Sequence, residues 1–365
     1  MTATMLSITA PKYTNPDGYE LTKVPKPAVA QPTDVLIKVH AASINPIDVK
    51  KVDGMMKMAI PDKFPYKIGY DVAGVVEEVG SGVTLFKAGD EVYVRLPESN
   101  RGAWAEFAVC PERFIALKPK NLSFGDAASL PLAALTALQA MREYKGSLEG
   151  KTIFIPAGLG GTGAYGLQIA KNIFKASKVI TTVSTSKVPK VHELLGESVV
   201  DQIIDYTKDD PLKTIPAGSV DFIFDTTGQA TEFMPLLVKG SGMVVSISTA
   251  PSGATLQNSS IMDTPEKPRL PIVARVFLDA TDQVRKLKAR YYGVEYKYIF
   301  MDPNGKDLTL LKDAAEEGKL RPVVGLRVDL GDIGKVREAC WQTYKGKGGL
   351  GKTVFEVQQQ DSREE

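Results

Sequence analysis

Cysteine and histidine are scarce in this chain, and their scarcity limits the metal chemistry that it can support. Two cysteines, Cys110 and Cys340, and two histidines, His40 and His192, occur among 365 residues. A structural zinc site usually takes about four cysteine or histidine ligands and a catalytic one about three protein ligands, so the chain cannot build both. Two cysteines also exclude a disulfide framework. We therefore expect chemistry without a metal.

Excess charge of one sign and long apolar runs are also missing. Lys and Arg number 45 against 43 Asp and Glu, which gives a net charge of +2. No long-range field attracts nucleic acid or an anionic membrane, so any attraction to phosphate has to be local. No run approaches the roughly 20 apolar residues that span a bilayer, and no signal sequence is visible at the amino terminus. We expect a cytoplasmic protein with reduced thiols and with neither nucleic-acid nor membrane partners.

The length and composition indicate two globular domains. The chain is 43% apolar and 24% charged, which suffices for a full core. Short strand-like runs with Gly and Asp turns fill the first third and predict a small β barrel that ends near residue 125. These runs are residues 35–39, 73–80, 91–94 and 104–109.

From residue 127 the pattern changes to alternating helices and strands. Residues 127–144 are rich in Ala and Leu and predict a helix, with Pro131 early in it. Short apolar runs then recur between helical segments, which is typical of a parallel sheet buried on both faces. The runs are residues 152–155, 178–183, 202–204, 220–224 and 243–247. The predicted fold class is therefore α/β, with a β barrel joined to a doubly wound parallel sheet.

Three further segments complete the sequence pattern. Residues 251–275 are rich in Pro, Ser, Thr and Gly and predict a loop or lid. Helices are expected at residues 307–317 and 332–344, and the spacing of the second places Cys340 in the core. Residues 358–365 are expected to be disordered.

A glycine-rich turn follows the first strand of the alternating region. Gly158, Gly160 and Gly163 follow the apolar run 152–155 and open a helix of small residues. In that context such glycines bring backbone amides close to a dinucleotide pyrophosphate and allow tight packing of the helix on the strand. The alternative is a generic glycine-rich turn.

The end of the second strand favours NADPH over NADH. NAD-selective domains carry Asp or Glu there, about 20 residues after the glycines, whereas this chain has Ser184 and Lys187 at that place. Both side chains can donate to a 2′-phosphate, and Lys190 lies close enough in sequence to assist. The alternative is that they are ordinary solvated loop residues.

Five motifs in order resemble the medium-chain dehydrogenase/reductase superfamily, in its zinc-independent quinone oxidoreductase and enoyl reductase branch. They are residues 42–48 (ASINPID), 69–74 (GYDVAG), 157–163 (AGLGGTG), 318–320 (GKL) and 351–354 (GKTV). Within that branch the chain resembles the fungal enoyl-reductase-like oxidoreductases. The resemblance implies a GroES-like substrate domain (residues 1–125 and 312–365) around a Rossmann NADPH-binding domain (residues 126–311).

The resemblance also implies that the usual zinc ligands are replaced. Zinc-dependent relatives carry Cys where this chain has Asn45, and a His-Glu pair where it has Tyr70 and Asp71. The cysteine-rich structural lobe is missing as well, because residues 95–103 contain no Cys. Without a Lewis acid, hydride transfer to an enone or a quinone is favoured over direct carbonyl reduction, since the charge develops on an oxygen that hydrogen-bond donors can stabilise.

Asn45 and Tyr70 are the candidate catalytic residues. By resemblance, Asn45 lies near the nicotinamide and the substrate, and Asp48 holds the Asn-Pro turn; ordinary turn chemistry is the alternative. Some enoyl reductases carry a Tyr shortly after this motif, but residues 54–58 read GMMKM. Tyr66 and Tyr70 are nearby in sequence, but a Tyr is more often a half-buried packing residue than an acid, and protonation by solvent is our working hypothesis.

The expected cofactor contacts follow the phosphate loop, the Asn-Pro turn and the strand ends. They are Pro46, Gly158, Leu159, Gly160, Gly161, Thr162, Gly163, Ser184, Lys187, Tyr206, Thr227, Ser248, Thr249 and Lys352. No metal ligand is expected. Met55, Met56 and Met58 form either an adaptable apolar wall of the substrate pocket or a mobile surface loop.

The sequence thus predicts an NADPH-dependent, zinc-independent reductase of quinones or of the activated C=C bond of α,β-unsaturated carbonyl compounds. One alternative is a specialised enoyl reductase that acts in trans on a carrier-bound chain in a secondary-metabolite pathway. Another is a cofactor-binding protein with little turnover. The partner is a small molecule, and the expected state is a monomer or a homodimer, with residues 243–248 as a candidate edge.

Overall fold

The computed structural model describes residues 3–346 and 349–357 and forms three sheets within that part of the chain. The segment expected to be disordered, residues 358–365, lies outside the described residues. No helix of the described part is long and apolar enough to cross a membrane.

The first region is built from eight strands. They are β1 (Thr4–Ala10), β2 (Glu20–Pro25), β3 (Asp34–Ser43), β4 (Tyr66–Lys67), β5 (Asp71–Val79), β6 (Glu91–Arg95), β7 (Phe107–Pro111) and β8 (Ile115–Leu117). The long strands β3 and β5 pair antiparallel, and their alternating Val and Ile residues face a common core. The predicted strands of this region are therefore present, with shifted ends.

The alternating region forms a six-stranded, fully parallel sheet. Its strands are β9 (Thr152–Ile155), β10 (Lys178–Val183), β11 (Gln202–Asp205), β12 (Phe222–Asp225), β13 (Met243–Ser246) and β14 (Glu295–Tyr298). The order is β11-β10-β9-β12-β13-β14, which is the doubly wound order of a Rossmann fold. Ligands of such sheets bind beyond the carboxyl ends of the strands, where the order reverses next to β9.

The last segment of the chain returns to the first region. Strands β15 (Val324–Asp329) and β16 (Lys352–Glu356) pair in parallel, and β16 pairs antiparallel with β3, with Val354 opposite Ser43. This pairing brings the start of β16 beside the residues that follow β3. The order of strands thus places Lys352 near Asn45.

Eleven α-helices of the described residues connect the strands. They are α1 (Pro46–Val52), α2 (Phe124–Ala128), α3 (Pro131–Arg142), α4 (Gly161–Gln168), α5 (Lys190–Leu195), α6 (Pro211–Thr214), α7 (Ala230–Phe233), α8 (Gly253–Gln257), α9 (Ile272–Tyr292), α10 (Gly305–Glu316) and α11 (Ile333–Tyr344). Gly318 ends the α10 region at a φ of 74°, and Cys340 is buried as predicted.

Three expectations about these elements need correction. Residues 127–144 are not one helix, because Pro131, which lacks an N–H, begins a second helix after α2 has ended. The segment 251–275 is not a simple loop, since it contains α8 and the start of α9. Residues 243–248 are not a sheet edge, because β14 pairs with β13 and covers it.

Candidate active site

The glycine-rich turn between β9 and α4 is a tight loop that side chains would obstruct at two of its glycines. A Cβ on Gly158 would lie 2.1 Å from the Oγ1 of Thr181, and a Cβ on Gly163 would lie 2.4 Å from the carbonyl oxygen of Ala157. Ala157 itself takes a positive φ of 55°. Gly160 precedes α4 in extended conformation, so the N–H groups of the first turn of the helix have no carbonyl partner within it. The residues present therefore fit a dinucleotide pyrophosphate.

The C-terminal segment lies directly against this phosphate loop. The amide of Gly351 donates to the carbonyl of Leu159 at 2.8 Å, and Gly160 and Gly351 form an isolated β-bridge. A Cβ on Gly161 would lie 3.0 Å from the Cδ of Lys352. The stem of Lys352 therefore passes the loop before the side chain enters the first domain.

Lys352 then meets the Asn-Pro turn in a buried cluster, which we call the Lys352 network (Asn45, Asp48, Asp71 and Lys352). The Lys352 ammonium donates to the carbonyl oxygen of Ile44 at 2.8 Å and to the Oδ1 of Asn45. Asn45 donates through Nδ2 to Asp71 at 2.7 Å. The amide group of Asn45 is thus held from both ends, which fixes its orientation.

Asp71 and Asp48 complete the electrostatics of this network. Asp71 also accepts from the hydroxyl of Ser43 and from the backbone N–H of Leu132, both at 3.0 Å, and lies 3.6 Å from the Lys352 ammonium. Asp48 accepts from the backbone N–H of Asn45 at 2.6 Å. Burial raises the pKa of Asp48 to about 8, with a further contribution from Asp71. Burial lowers the pKa of Lys352, and Asp71 and Asp48 oppose that change.

Tyr70 belongs to a second buried cluster, which we call the Glu98 network (Lys51, Asp62, Tyr70, Glu98 and Arg101). The Tyr70 hydroxyl donates to Oε2 of Glu98 at 2.7 Å, and both Lys51 and Arg101 bind Glu98 and Asp62. Burial raises the pKa of Tyr70 well above its usual value. The structure therefore brings Asn45 and Lys352 together, whereas it directs the hydroxyl of Tyr70 to Glu98.

The predicted 2′-phosphate residues lie just beyond the end of β10. Ser184 precedes a short 3-10 turn that contains Lys187, whose Nζ donates to the carbonyl of Gly349 at 3.0 Å. Burial and the charge of Lys190 lower the pKa of Lys187. Tyr206, at the end of β11, is 57% exposed and donates its backbone N–H to Val183.

Asp205 is a charged neighbour that the sequence pattern did not single out. Its carboxylate accepts from the hydroxyls of Thr185 and Thr207, each at 2.7 Å. The Thr185 hydrogen bond is the main cause that lowers the pKa of Asp205 to about 2. Asp205 lies at the end of β11, the strand next to β10. The spacing of residues within the β10 motif therefore could not predict that Asp205 lies beside Ser184 and Lys187. A carboxylate therefore stands close to the residues predicted to hold a phosphate.

The hydroxyls at the ends of β12 and β13 are bound within the protein. Thr227 donates to the buried Asp225 at 3.1 Å, and Ser248 donates to the carbonyl of Thr226 at 2.8 Å. Thr249 lies within hydrogen-bond distance of Ser246 and of Tyr296. Asp225 also accepts three backbone N–H groups of the following turn. These hydrogen bonds hold the loops that follow β12 and β13.

An apolar cluster joins the segment after α8 to the loop after α1. Met56 and Ile60 pack with side chains of residues 256–270, and Ile47, two residues after Asn45, contacts the same cluster. Met55 and Met58 are 59% and 76% exposed, so only Met56 of the predicted methionine wall is buried. A polar cavity of about 480 Å³ lies farther along, lined among others by Asn258, Asp263, Arg269 and Asp302.

Within residues 3–346 and 349–357, no group of three or more His, Cys, Asp and Glu side chains is placed to hold a metal ion. The Lys352 ammonium lies beside both Asn45 and Asp71.

Comparison with known proteins places the chain in a family. Residues 31–120 match the family model of the alcohol dehydrogenase GroES-like domain, and residues 200–354 match the zinc-binding dehydrogenase model. The chain belongs to the medium-chain dehydrogenase/reductase superfamily, and its homologues there are quinone and alkenal oxidoreductases.

Its relatives include proteins that match nearly the whole chain. It is 32% identical to the mitochondrial NAD(P)H oxidoreductase RTN4IP1 of Mus musculus over 352 residues, which is 91% of this chain and 83% of that protein. It is 42% identical to 2-methylene-furan-3-one reductase of Solanum lycopersicum, over 58% of this chain and 54% of that protein. The chain thus spans about half the length of the tomato relative. The quinone oxidoreductase structure from Coxiella burnetii superposes with a TM-score of 0.76 at 28% identity, covering 98% of this chain and 100% of that one.

The comparisons confirm the predicted fold class, and the matched relatives include NAD(P)H-dependent oxidoreductases. A nicotinamide cofactor is supported as well.

Proposed function

We propose that this protein uses NADPH to reduce a quinone, or the activated C=C bond of an α,β-unsaturated carbonyl compound, without zinc. The observation that carries the proposal is the path of Lys352. Its stem passes Gly161 of the phosphate loop and its ammonium binds Asn45. One residue thereby links the place of the cofactor to a buried polar group in the substrate domain.

Bound NADPH supplies a hydride. Asn45 keeps one Nδ2 proton on Asp71 and carries a second, which we propose donates to the carbonyl oxygen of the substrate. The hydride forms a C–H bond at the β-carbon, the C=C electron pair moves toward the carbonyl, and negative charge develops on its oxygen. The nearby Lys352 ammonium stabilises that charge in a buried site of low dielectric. Water then delivers a proton to the α-carbon, which yields the saturated ketone and NADP⁺.

A quinone fits the same arrangement. The hydride and one proton convert it to the hydroquinone, and the charge again develops on an oxygen within reach of donors. The names of the relatives support both acceptor classes, since the tomato protein is named for reduction of a methylene-furanone and the Coxiella protein for quinones.

NADPH is proposed over NADH because Ser184 and Lys187 lie at the end of β10. A cation at this place favours a 2′-phosphate. Asp205 acts against this preference, so the balance between Lys187 and Asp205 sets the selectivity.

We also propose the cytoplasmic location, the domain limits at residues 125 and 311, and a monomeric or homodimeric state. Microscopy of a tagged chain, limited proteolysis and light scattering test these three in turn.

The test of the function is NADPH oxidation by the purified chain with a matched pair of acceptors, an ortho-quinone and an α,β-unsaturated ketone. We expect a hydroquinone or a saturated ketone as the product. The saturated ketone itself, offered as the acceptor, is the control and is expected to leave NADPH unchanged.

Two outcomes count against the proposal. Tight NADPH binding without turnover of either acceptor points to a cofactor-binding protein. Loss of turnover with a chelator and its return with zinc overturns the metal-free mechanism.

A further inference from the structure

Helix α9 presents its apolar side to solvent. Its large apolar residues recur at helical spacing and are each between 58% and 82% exposed. We call them the α9 stripe: Ile272, Val273, Val276, Phe277, Val284, Leu287 and Tyr291. Contiguous exposed apolar surface of this kind marks an interaction site in a folded protein.

The opposite side of α9 faces the protein with polar groups. Asp282 is 2% exposed and binds Lys286 at 2.6 Å. Arg285 donates to the carbonyl of Ala250 at 3.0 Å, and Asp279 accepts from the backbone N–H of Gly253 at 2.9 Å. These hydrogen bonds and the ion pair fix the orientation of α9 about its axis. They hold its polar side against the protein and leave the α9 stripe facing the solvent.

The charges around the stripe are basic. The helix carries five cations, Arg275, Arg285, Lys286, Lys288 and Arg290, and two anions, Asp279 and Asp282. Both anions are engaged with the groups just described or with Arg275. Lys288 and Arg290 are exposed beside the apolar residues. An apolar stripe with basic flanks complements an anionic lipid surface, whereas a second copy would bring like charges together.

The stripe adjoins the segment that packs beside the candidate active site. Leu278 of α9 contacts the apolar cluster of Met56, Ile60 and Leu256, which also touches Ile47. Helix α9 therefore covers this cluster on its inner side and carries the α9 stripe on its outer side.

We propose that the α9 stripe docks the protein on the surface of an anionic lipid bilayer, with the apolar side chains among the acyl chains and the basic residues at the headgroups. The net charge of the whole chain is near zero and by itself predicts no attraction to membranes. The basic residues of α9 are a local exception. The proposal does not depend on the proposed reaction, since it concerns binding alone.

Sedimentation of the full chain with vesicles tests it. We expect binding to phosphatidylcholine vesicles that contain phosphatidylserine, weak binding to phosphatidylcholine alone, and weaker binding at high salt. The double variant Phe277→Glu/Leu287→Glu is expected to lower the partition coefficient at least about tenfold. Lys288→Ala/Arg290→Ala is expected to lower it roughly tenfold on anionic vesicles only.

Leu85→Glu is the matched control, because Leu85 is 67% exposed but lies in the first domain. NADPH binding by each variant shows that it is folded. The proposal is overturned if phosphatidylserine has no effect, or if Leu85→Glu weakens binding as much as the stripe variant. It is also overturned if the wild type is a dimer that ignores vesicles and the stripe variant is a monomer, which assigns the stripe to a second copy.

Discussion

The first domain buries two charged clusters that differ in what surrounds the cation. In the Glu98 network, Lys51 lies between two carboxylates, those of Glu98 and Asp62. In the Lys352 network the ammonium binds an amide oxygen and a backbone carbonyl, and the nearest carboxylate, Asp71, is 3.6 Å away. Lys51 is therefore held by two direct ion pairs, whereas the Lys352 ammonium directs its hydrogen bonds to neutral oxygens beside the phosphate loop. The comparison separates a structural cation from one able to act on charge that develops in a substrate.

Exchanging each lysine for methionine has the largest expected effect. Lys352→Met leaves the buried carboxylate of Asp71 without the cation beside it, which costs about 3–5 kcal/mol of the free energy of unfolding. Lys51→Met is expected to cost less, because Arg101 still binds Glu98 and Asp62. Only Lys352→Met is also expected to lower kcat of the folded enzyme, by about 100-fold. Lys51→Met is expected to change kcat less than about threefold. Urea unfolding and steady-state kinetics measure the two quantities.

Lys352→Gln and Glu98→Gln are milder companions if either methionine variant fails to fold. Equal losses of kcat in the two networks would falsify the distinction between them.

Asp48, in the Lys352 network, makes the stability of the protein depend on pH. Its pKa is raised from 3.8 to about 8 in the folded protein, so between these values the unfolded chain binds fewer protons than the folded one. Stability from this group therefore falls as pH rises through that window, by at most about 1.4 kcal/mol per pH unit. Asp48→Asn is expected to remove this decline. Unfolding free energies of both proteins between pH 5 and pH 8 provide the check, and parallel curves would contradict the assignment.

Lys187 lies outside both networks and is expected to act on the cofactor alone. Lys187→Ala is expected to weaken NADPH binding about tenfold and to leave NADH binding unchanged, because one charge-assisted contact to the 2′-phosphate is lost. Fluorescence titration measures both affinities. Asp205→Asn is expected to shift the preference in the opposite direction, and Lys213→Ala, at an exposed lysine of α6, is the control. An unchanged preference in Lys187→Ala refutes the 2′-phosphate assignment.

Tyr70 gives the smallest expected effect. Tyr70→Phe removes a hydrogen bond to Glu98, which costs about 1–2 kcal/mol of stability, and is expected to leave kcat nearly unchanged if water is the proton donor. Thermal unfolding and kinetics test both statements. A large fall in kcat, with the pH profile altered, assigns the proton donor to Tyr70 instead.

The sequence predicts local features of this fold well because their cause is local. Apolar runs between turns specify β9, β10 and β13, and the glycines of the phosphate loop are needed at sites where a Cβ would collide with neighbouring atoms. The abundance of Ala and Leu in residues 127–144 predicts one helix over the whole segment. That prediction gives too little weight to Pro131, which has no backbone N–H to continue a helix from α2.

Contacts between distant segments lie beyond such reasoning. Asn45 and Lys352 are 307 residues apart, and only the pairing of β16 with β3 brings them together. Asp205 reaches Thr185 through the neighbouring strand. The spacing of the apolar residues in α9 indicates a helix. It does not show that these residues face the solvent, because that orientation depends on hydrogen bonds to Ala250 and Gly253.

The most direct test of the central claim is the single-turnover rate of deuterium transfer from C4-deuterated NADPH to an α,β-unsaturated ketone, measured for Lys352→Met and Lys51→Met. The account predicts that deuterium appears at the β-carbon of the saturated product and that transfer is about 100-fold slower in Lys352→Met than in Lys51→Met. Equal transfer rates in the two folded variants would contradict a role for Lys352 in the reaction.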